Sequence, residues 1–370
     1  MSRNLGQVRI VGGGLLGTSI GLALTKLGHD VVISDTSPAT QALAVDYGAG
    51  RVPAVGDNPS LVVVCVPPDV TPAVVLAELT AYPNAVVTDV ASVKLPVLQQ
   101  LQESASATGT EALLTNYVGS HPMAGRERGG AISGRADLFN GRPWVIVPHH
   151  SEGGAAATSA EAVNLVTDLA LSLGAQPVTM EATEHDHAVA AVSHVPQLIS
   201  SLLAARLIST SAQEIALAGQ GLRDTTRIAA SDPSLWVQIL SANAEQVAPV
   251  LKDFAADLAS VIAALDNVGA PGSLSSVSKA IEQGNRGVSR IPGKHGSSQT
   301  EYAVVVAMID DKPGEWARLL TDVGHIGINL EDMRMEHSPG AQIGLVELSV
   351  LPQVEAKLIE ELNARGWRLA

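Results

Sequence analysis

Gln7-Val8-Arg9-Ile10-Val11-Gly12-Gly13-Gly14-Leu15-Leu16-Gly17 is the stretch that decides the fold. A short strand runs into three glycines, and the segment after them, 18–28, has helical spacing and stops at Gly28. Strand before and helix after is the context in which G-x-G-x-x-G means dinucleotide binding. Gly12 makes the turn, Gly14 lets a pyrophosphate approach the backbone, and Gly17 lets helix pack on strand. Free N–H groups at the helix start, those of Leu15 and Leu16, are placed to receive phosphates. The next strand, 30–35, ends in Asp35, where a carboxylate hydrogen-bonds a ribose 2′-hydroxyl and repels a 2′-phosphate. The expected cofactor is therefore NAD rather than NADP. Two blander readings compete: a glycine turn with no ligand, and Asp35 as a plain helix N-cap.

Outward from this stretch the alternation continues. Strands are expected over 61–66, 85–90, 143–148 and 176–180, with helices over 69–81, 96–106 and 158–173. That pattern implies a mostly parallel, doubly wound α/β sheet, with ligands outside the carboxyl ends of its strands. Three features fall at such ends: Pro67-Pro68-Asp69, Asp89-Val90-Ala91-Ser92-Val93-Lys94, and Gly119-Ser120-His121-Pro122-Met123-Ala124-Gly125. Pro122 pushes His121 towards an extended conformation. Convergence on one crevice makes His121 a candidate functional group, against the rival of a structural histidine.

The chain has 370 residues, enough for two or three domains, and a net charge of −14. That balance argues against nucleic-acid and anionic-membrane partners, which reward clustered Lys and Arg. A few arginines can still make a local pocket for a small acid. The single cysteine, Cys65, excludes an intrachain disulfide and lies in an apolar run that reads as core. No run approaches the ~18 apolar residues of a membrane span, and no signal-peptide pattern precedes the first strand. A soluble, cytoplasmic protein is expected.

Over 181–284 strand signals disappear and Ala-rich helical spacing takes over. His185 and His187 are two apart, do not share a helix face, and read as solvated polar residues rather than metal ligands. His194 lies just before Pro196, which should kink its helix. Arg223 and Arg227, four apart, would share a helix face and suit a dicarboxylate; the rival is a surface pair bridging Asp224 and Asp232. A further helix should run from Pro233 to about 264. Apolar residues on more than one face point to a homodimer interface. Residues 285–300 read as a Gly/Ser-rich linker. The tail, 301–370, carries strand 302–309, helix 314–325, strands 328–336 and 342–350, helix 352–365 and strand 367–369, a ferredoxin-like βαββαβ order.

The glycine motif with Asp35, residues 89–94, residues 119–125, Ser193-His194-Val195-Pro196 and Arg223-Asp224-Thr225-Thr226-Arg227-Ile228-Ala229 together resemble the prephenate dehydrogenase family, over about 7–265. Asp311-Lys312-Pro313-Gly314 and Gly324-His325-Ile326-Gly327-Ile328-Asn329 resemble an ACT domain, a module that commonly binds an amino acid and controls the enzyme bearing it. The resemblance implies a Rossmann-type domain (1–180), an all-helical dimerisation domain (181–284), a linker and a ferredoxin-like ACT domain (301–370). It implies NAD-dependent oxidative decarboxylation of prephenate to 4-hydroxyphenylpyruvate in tyrosine biosynthesis, with arogenate as the alternative substrate.

By the same resemblance His121 is the catalytic base, and Ser92 orients it and touches the cofactor, with Pro67 nearby. Arg227 grips the ring carboxylate, Arg223 meets the pyruvyl end, His194 lines the substrate pocket and Glu127 lies at its mouth. Arg126 departs from the small polar residue common in relatives; it either adds a cation to the pocket or alters inhibition by tyrosine, and it leaves the preference between prephenate and arogenate open. His121 is expected at a strand's carboxyl end, between nicotinamide and Arg227. In the tail, the turn at Gly327 and Asn329 is the candidate site for tyrosine or another amino acid, although turn chemistry explains those residues almost as well. The rivals are a β-hydroxyacid dehydrogenase, which normally uses a lysine where residues 193–197 offer a histidine, and a non-enzymatic NAD sensor.

Overall fold

The computed structural model describes residues 5–126, 129–150, 157–291, 302–337 and 343–370. Its elements begin with β1 (Val8–Val11), α1 (Leu15–Lys26), β2 (Val31–Ser34), α2 (Pro38–Asp46), β3 (Leu61–Val64), α3 (Thr71–Ala81), β4 (Val86–Asp89) and α4 (Leu95–Thr108). Then come β5 (Tyr117–Pro122), β6 (Pro143–Val147), α5 (Ala160–Ser172) and β7 (Gln176–Thr179). The seven strands form one sheet in the order β2-β1-β3-β4-β5-β6-β7. All pairings are parallel except β5 with β6, where His121 faces Val145 in antiparallel register. The chain reverses its direction of winding between β1 and β3, the switch point at which such sheets bind ligands.

Both faces of the sheet are covered. Val8, Ile10, Leu61, Val63 and Ile146 pack with Ile20 and Leu24 of α1 and Val166 and Leu169 of α5. Val62, Val64, Val87 and Tyr117 pack on the other face with Val75 and Leu79 of α3 and Leu101 of α4. Burial on both sides explains why β3 reads as an unbroken apolar run. That strand ends at Val64; Cys65, whose N–H still donates to the Val11 carbonyl, is partly buried.

The helical stretch is more broken than its spacing predicts. It contains α6 (Ala182–Val189), a π turn at Ala190–His194, α7 (Val195–Arg206), α8 (Ala212–Ile215), α9 (Gln220–Thr226), α10 (Pro233–Ala242), α11 (Ala244–Asp266) and α12 (Ser273–Val288). The π turn sits where Pro196 removes a donor and crowds the preceding carbonyl, so a widened turn stands where a kink was expected. The helix expected from Pro233 to about 264 is interrupted at Asn243, whose backbone leaves helical geometry at φ −109°, ψ 23°. α12 continues through Val288, so the first residues of the expected linker are helical; 292–300 lie outside the described residues.

No unbroken apolar run reaches a span's length, yet the helical segment Ala182–Ser209, 28 residues, is long and apolar enough on average to cross a membrane by length and composition alone. Of its most apolar window 33% is buried, and His185, Asp186, His194 and Gln197 are among the buried side chains of the segment.

By its contacts the chain parts into two compact units. One comprises residues 1–202 and 228–252, the other 203–227 and 253–370. Within the second lie β8 (Ala303–Asp310), α13 (Glu315–Ile326), β9 (Asp332–His337), β10 (Ile343–Val350), α14 (Glu355–Ala364) and β11 (Arg368–Leu369). The four strands form an antiparallel sheet in the order β11-β8-β10-β9. Alternate residues Val305, Ala307, Ile309, Val346, Leu348 and Val350 pack on Leu319 and Val323 of α13 and Leu358 and Leu362 of α14. The element order is the one expected; β9 begins at Asp332 rather than near 328.

Candidate active site

Strands β1 to β5 run in one direction, so their carboxyl ends share one edge. The glycine turn, Asp35, Pro67, Ser92 and His121 all follow or end these strands. The sheet thus brings together residues that lie more than a hundred positions apart in the chain.

The glycine turn has the shape a dinucleotide requires. Gly12 has φ 107°, and a Cβ there would run into the carbonyl of Cys65. A Cβ at Gly17 would strike the Gly12 carbonyl oxygen. At Gly14, by contrast, a Cβ would meet nothing within 4 Å, so the backbone there opens onto space. No side chain caps α1, and the N–H groups of Leu15 and Leu16 have no acceptor among the described residues. Asp35 accepts from Gly13 N at 2.7 Å and Ser37 N at 2.7 Å. Ser37, not Asp35, caps α2, which removes the N-cap reading of the acid. These residues fit an NAD molecule: first-turn amides for the pyrophosphate and a carboxylate at the ribose position.

At the end of β5 lies a chain of imidazoles. His121 Nδ1 is 2.8 Å from Nε2 of His185, and His185 Nδ1 is 2.8 Å from Oδ1 of Asp186. The two rings meet edge to face with centroids 5.1 Å apart. Asp186 also accepts the backbone N–H groups of Lys94 and Leu95, each at 2.8 Å, and so caps the start of α4 from a distant element. Asn243 donates to the Asp186 carbonyl at 2.8 Å and lies 3.1 Å from His194 Nδ1. His194 in turn packs edge-on to Trp236. Burial, with His185, Lys94 and His194 close by, holds His121 well below the usual imidazole value. Burial likewise takes His194 down to about 4, Asp186 opposing the shift.

Under the strand, Lys94 pairs with Asp89 in full burial and donates to the Ser120 carbonyl at 2.7 Å. Tyr117 donates its hydroxyl to Asp89 at 2.8 Å, and the Ser120 hydroxyl donates to the Asp89 carbonyl at 2.8 Å. Burial lowers the Lys94 ammonium while Asp89 raises it. This network ties β4 to β5 at the residue before His121.

The remaining expected residues are placed as follows. Ser92 follows β4 and makes no hydrogen bond to His121; the ring's partner is His185. Arg126 is exposed and donates to the Ser133 carbonyl at 3.1 Å, and Glu127 lies outside the described residues. Arg223 lies in α9 and Arg227 at its end with helical φ −54°, ψ −44°, both in the second compact unit. Asp224 is held by Gln220 and Asp232 caps α10, so those acids have other partners than the bridging reading gave them. Gly327 ends α13 at φ 74°, and Asn329 donates to Glu331 at 3.0 Å.

One expectation is overturned. His185 is 1% exposed, not solvated, whereas His187 is exposed as expected. Ala182, His185, Asp186 and Val189 form the buried face of α6, at helical positions i, i+3, i+4 and i+7. That periodicity was present in the sequence; two-residue spacing drew attention to the wrong histidine pair.

Family profiles match most of the chain. The profile described as "Prephenate dehydrogenase, nucleotide-binding domain" matches residues 20–179, and "Prephenate dehydrogenase, dimerization domain" matches 181–276. A protein of Streptomyces niveus named probable prephenate dehydrogenase NovF is 35% identical over 365 residues, 97% of this chain and 98% of that one. The cyclohexadienyl dehydrogenase of Zymomonas mobilis is 32% identical over 266 residues, 68% of this chain and 86% of that one. Among solved structures, prephenate dehydrogenase from A. aeolicus, in complex with hydroxyphenyl propionate and NAD+, superimposes with a TM-score of 0.64. It is 24% identical and covers 78% of this chain and all of its own, a likeness of fold.

Proposed function

The chain belongs to the prephenate dehydrogenase family, and from that premise we propose that it oxidatively decarboxylates prephenate to 4-hydroxyphenylpyruvate with NAD. The observation that carries the reading is His121: a neutral imidazole at the carboxyl edge of the sheet, whose Nε2 has no partner among the described residues. Bound NAD supplies the acceptor for the hydride that leaves C4 of the substrate. The chain's residues do the rest. His121 Nε2 accepts the C4 hydroxyl proton as the carbon–oxygen double bond forms. The carbon–carbon bond to the ring carboxylate then breaks, CO2 departs, and its electron pair makes the ring aromatic. The proton returns from His121 to the same oxygen, now phenolic, so no net proton is released. Such a base is worth about 10²–10⁴-fold in rate.

Two carboxylates need cations, and Arg227 and Arg223 are proposed to hold the ring and pyruvyl groups respectively, with Arg126 as a further cation and His194 lining the substrate pocket. Ser92 and Pro67 are proposed to touch the dinucleotide. The C-terminal module is proposed to be a ferredoxin-like ACT domain that binds tyrosine or another amino acid near Gly327 and Asn329. Its β-α-β-β-α-β order and strand order β11-β8-β10-β9 support that reading.

The test is NADH production with prephenate, arogenate and 3-hydroxyisobutyrate, each with NAD and NADP. Turnover of prephenate with NAD is expected. Turnover of 3-hydroxyisobutyrate alone, or NAD binding without any turnover, would overturn the proposal.

A further inference from the structure

We propose that Asp186 and His185 are positioning residues that set which nitrogen of His121 carries its proton, leaving Nε2 as the bare, basic one. The inference rests on the reading of His121 as the base and adds to it the device that makes it one.

The argument starts from the groups whose roles are fixed. Backbone amides only donate, so the contacts of Lys94 N and Leu95 N make both oxygens of Asp186 acceptors. Oδ1 takes a second donor, His185 Nδ1, at 2.8 Å. His185 therefore carries a proton on Nδ1, and in the neutral ring its Nε2 presents a lone pair. His121 Nδ1 lies 2.8 Å from that lone pair and must be the donor. A neutral His121 with its proton on Nδ1 has a bare Nε2. The reverse assignment would point two lone pairs at each other or put the His185 proton on Nε2, leaving a bare Nδ1 2.8 Å from a carboxylate oxygen.

The chain is anchored at its far end. Asn243 gives one amide hydrogen to the Asp186 carbonyl and the other to His194 Nδ1. His185 and Asp186 are each 1% exposed, so water does not compete for these contacts. The charged and titratable groups around the His121 ring are His185 and Asp186 from α6, Asp89 at the end of β4 with its partner Lys94 before α4, and His194 from the π turn. The start of a helix on one side of the sheet edge thus dictates, through one carboxylate and one ring, the proton position on another strand.

The test is a long-range ¹H–¹⁵N spectrum of the full chain labelled at histidine, with His121 assigned by the His121→Asn variant, beside steady-state kinetics. In the wild-type protein His121 should show a protonated Nδ1 and an unprotonated Nε2. His185→Phe removes the acceptor and should shift His121 towards the Nε2-protonated form, lowering kcat by about tenfold or more with KM for prephenate within about threefold. His185→Gln keeps an acceptor oxygen for Nδ1 and should restore most of the turnover. A protonated Nε2 in the wild-type protein, which needs no variant to fold, overturns the proposal. So does a His185→Phe protein with unchanged tautomer and kcat. If Nε2 is bare but His121→Asn still turns over, the base reading fails while the proton arrangement stands.

Discussion

At His121 burial of the ring, a second imidazole at hydrogen-bond distance and the Lys94 ammonium close by all work against a positive charge. The side chain is therefore held neutral, as the proposed base must be. Replacing it by Asn, which cannot take a proton, should lower kcat by about 10²–10⁴-fold while NAD affinity is unchanged. Near-normal turnover in that variant would remove His121 from the mechanism. The same depression has a thermodynamic side. His194 sits at about 4 in the folded chain and near 6.5 when unfolded, so the unfolded state binds more protons between those values. Stability from this group is complete above about pH 6.5 and is lost as the pH falls towards 4, at about 1.4 kcal/mol per unit. Urea midpoints between pH 7.5 and 5 should fall accordingly, and His194→Asn should flatten the slope. Lys94 behaves differently, because its partner Asp89 is equally buried. Lys94→Met would strand that carboxylate and should cost about 3–5 kcal/mol in chemical denaturation, against a near-neutral effect if the pair were solvated.

Among the elements, the turn between β1 and α1 separates two demands on glycine that the motif alone does not distinguish. Gly17 is close-packed against the Gly12 carbonyl, so Gly17→Ala forces backbone to move and should cost about 1–3 kcal/mol or more of stability. Gly14 opens onto space with ordinary dihedrals. Gly14→Ala should leave the melting temperature in place and weaken NAD binding by about tenfold, equivalent to about 1.4 kcal/mol, in a calorimetric titration. Equal losses in both measurements for Gly14→Ala would mean that this turn is not a phosphate cradle. The breaks in the helical stretch belong to the same level. Neither the π turn at Ala190–His194 nor the interruption at Asn243 follows from helix propensity, yet these are the places from which His194 and Asn243 meet. Both irregularities carry a buried polar side chain whose partner lies on another element, and this offsets the lost helical hydrogen bonds.

For the chain as a whole, α11 leaves Phe254, Leu258, Ile262 and Leu265 between 43% and 57% exposed along one stripe. Such a stripe within a match to a dimerisation domain is expected to be covered by a second copy. Leu258→Asp with Ile262→Asp should convert a dimer to a monomer in sedimentation; a wild-type monomer would contradict the assignment. The C-terminal module has its own core and, if it is an ACT-type domain, binds an amino acid only when folded. Tyrosine, or whichever amino acid the module takes, at about a hundred times its Kd should then stabilise it by about 2.7 kcal/mol, seen as a raised unfolding temperature in a scan of the amino acids.

The strand–glycine–helix unit, the alternation that builds a doubly wound sheet, the edge carrying His121 and the element order of the tail were all legible in the chain, because each rests on local periodicity, on glycine and proline geometry, or on spacing. The role of Asp89 and Lys94 was half legible: the stretch stood out, but not that the two are each other's buried partners. What surrounds His121 was not legible, since His185, Asp186 and Asn243 come from positions 64 to 122 residues further along, and no local pattern encodes who faces whom. A histidine's chemistry depends on which of its nitrogens is paired and on how far water is excluded. Folding decides both, by bringing α4, α6 and the Asn243 break against the end of β5.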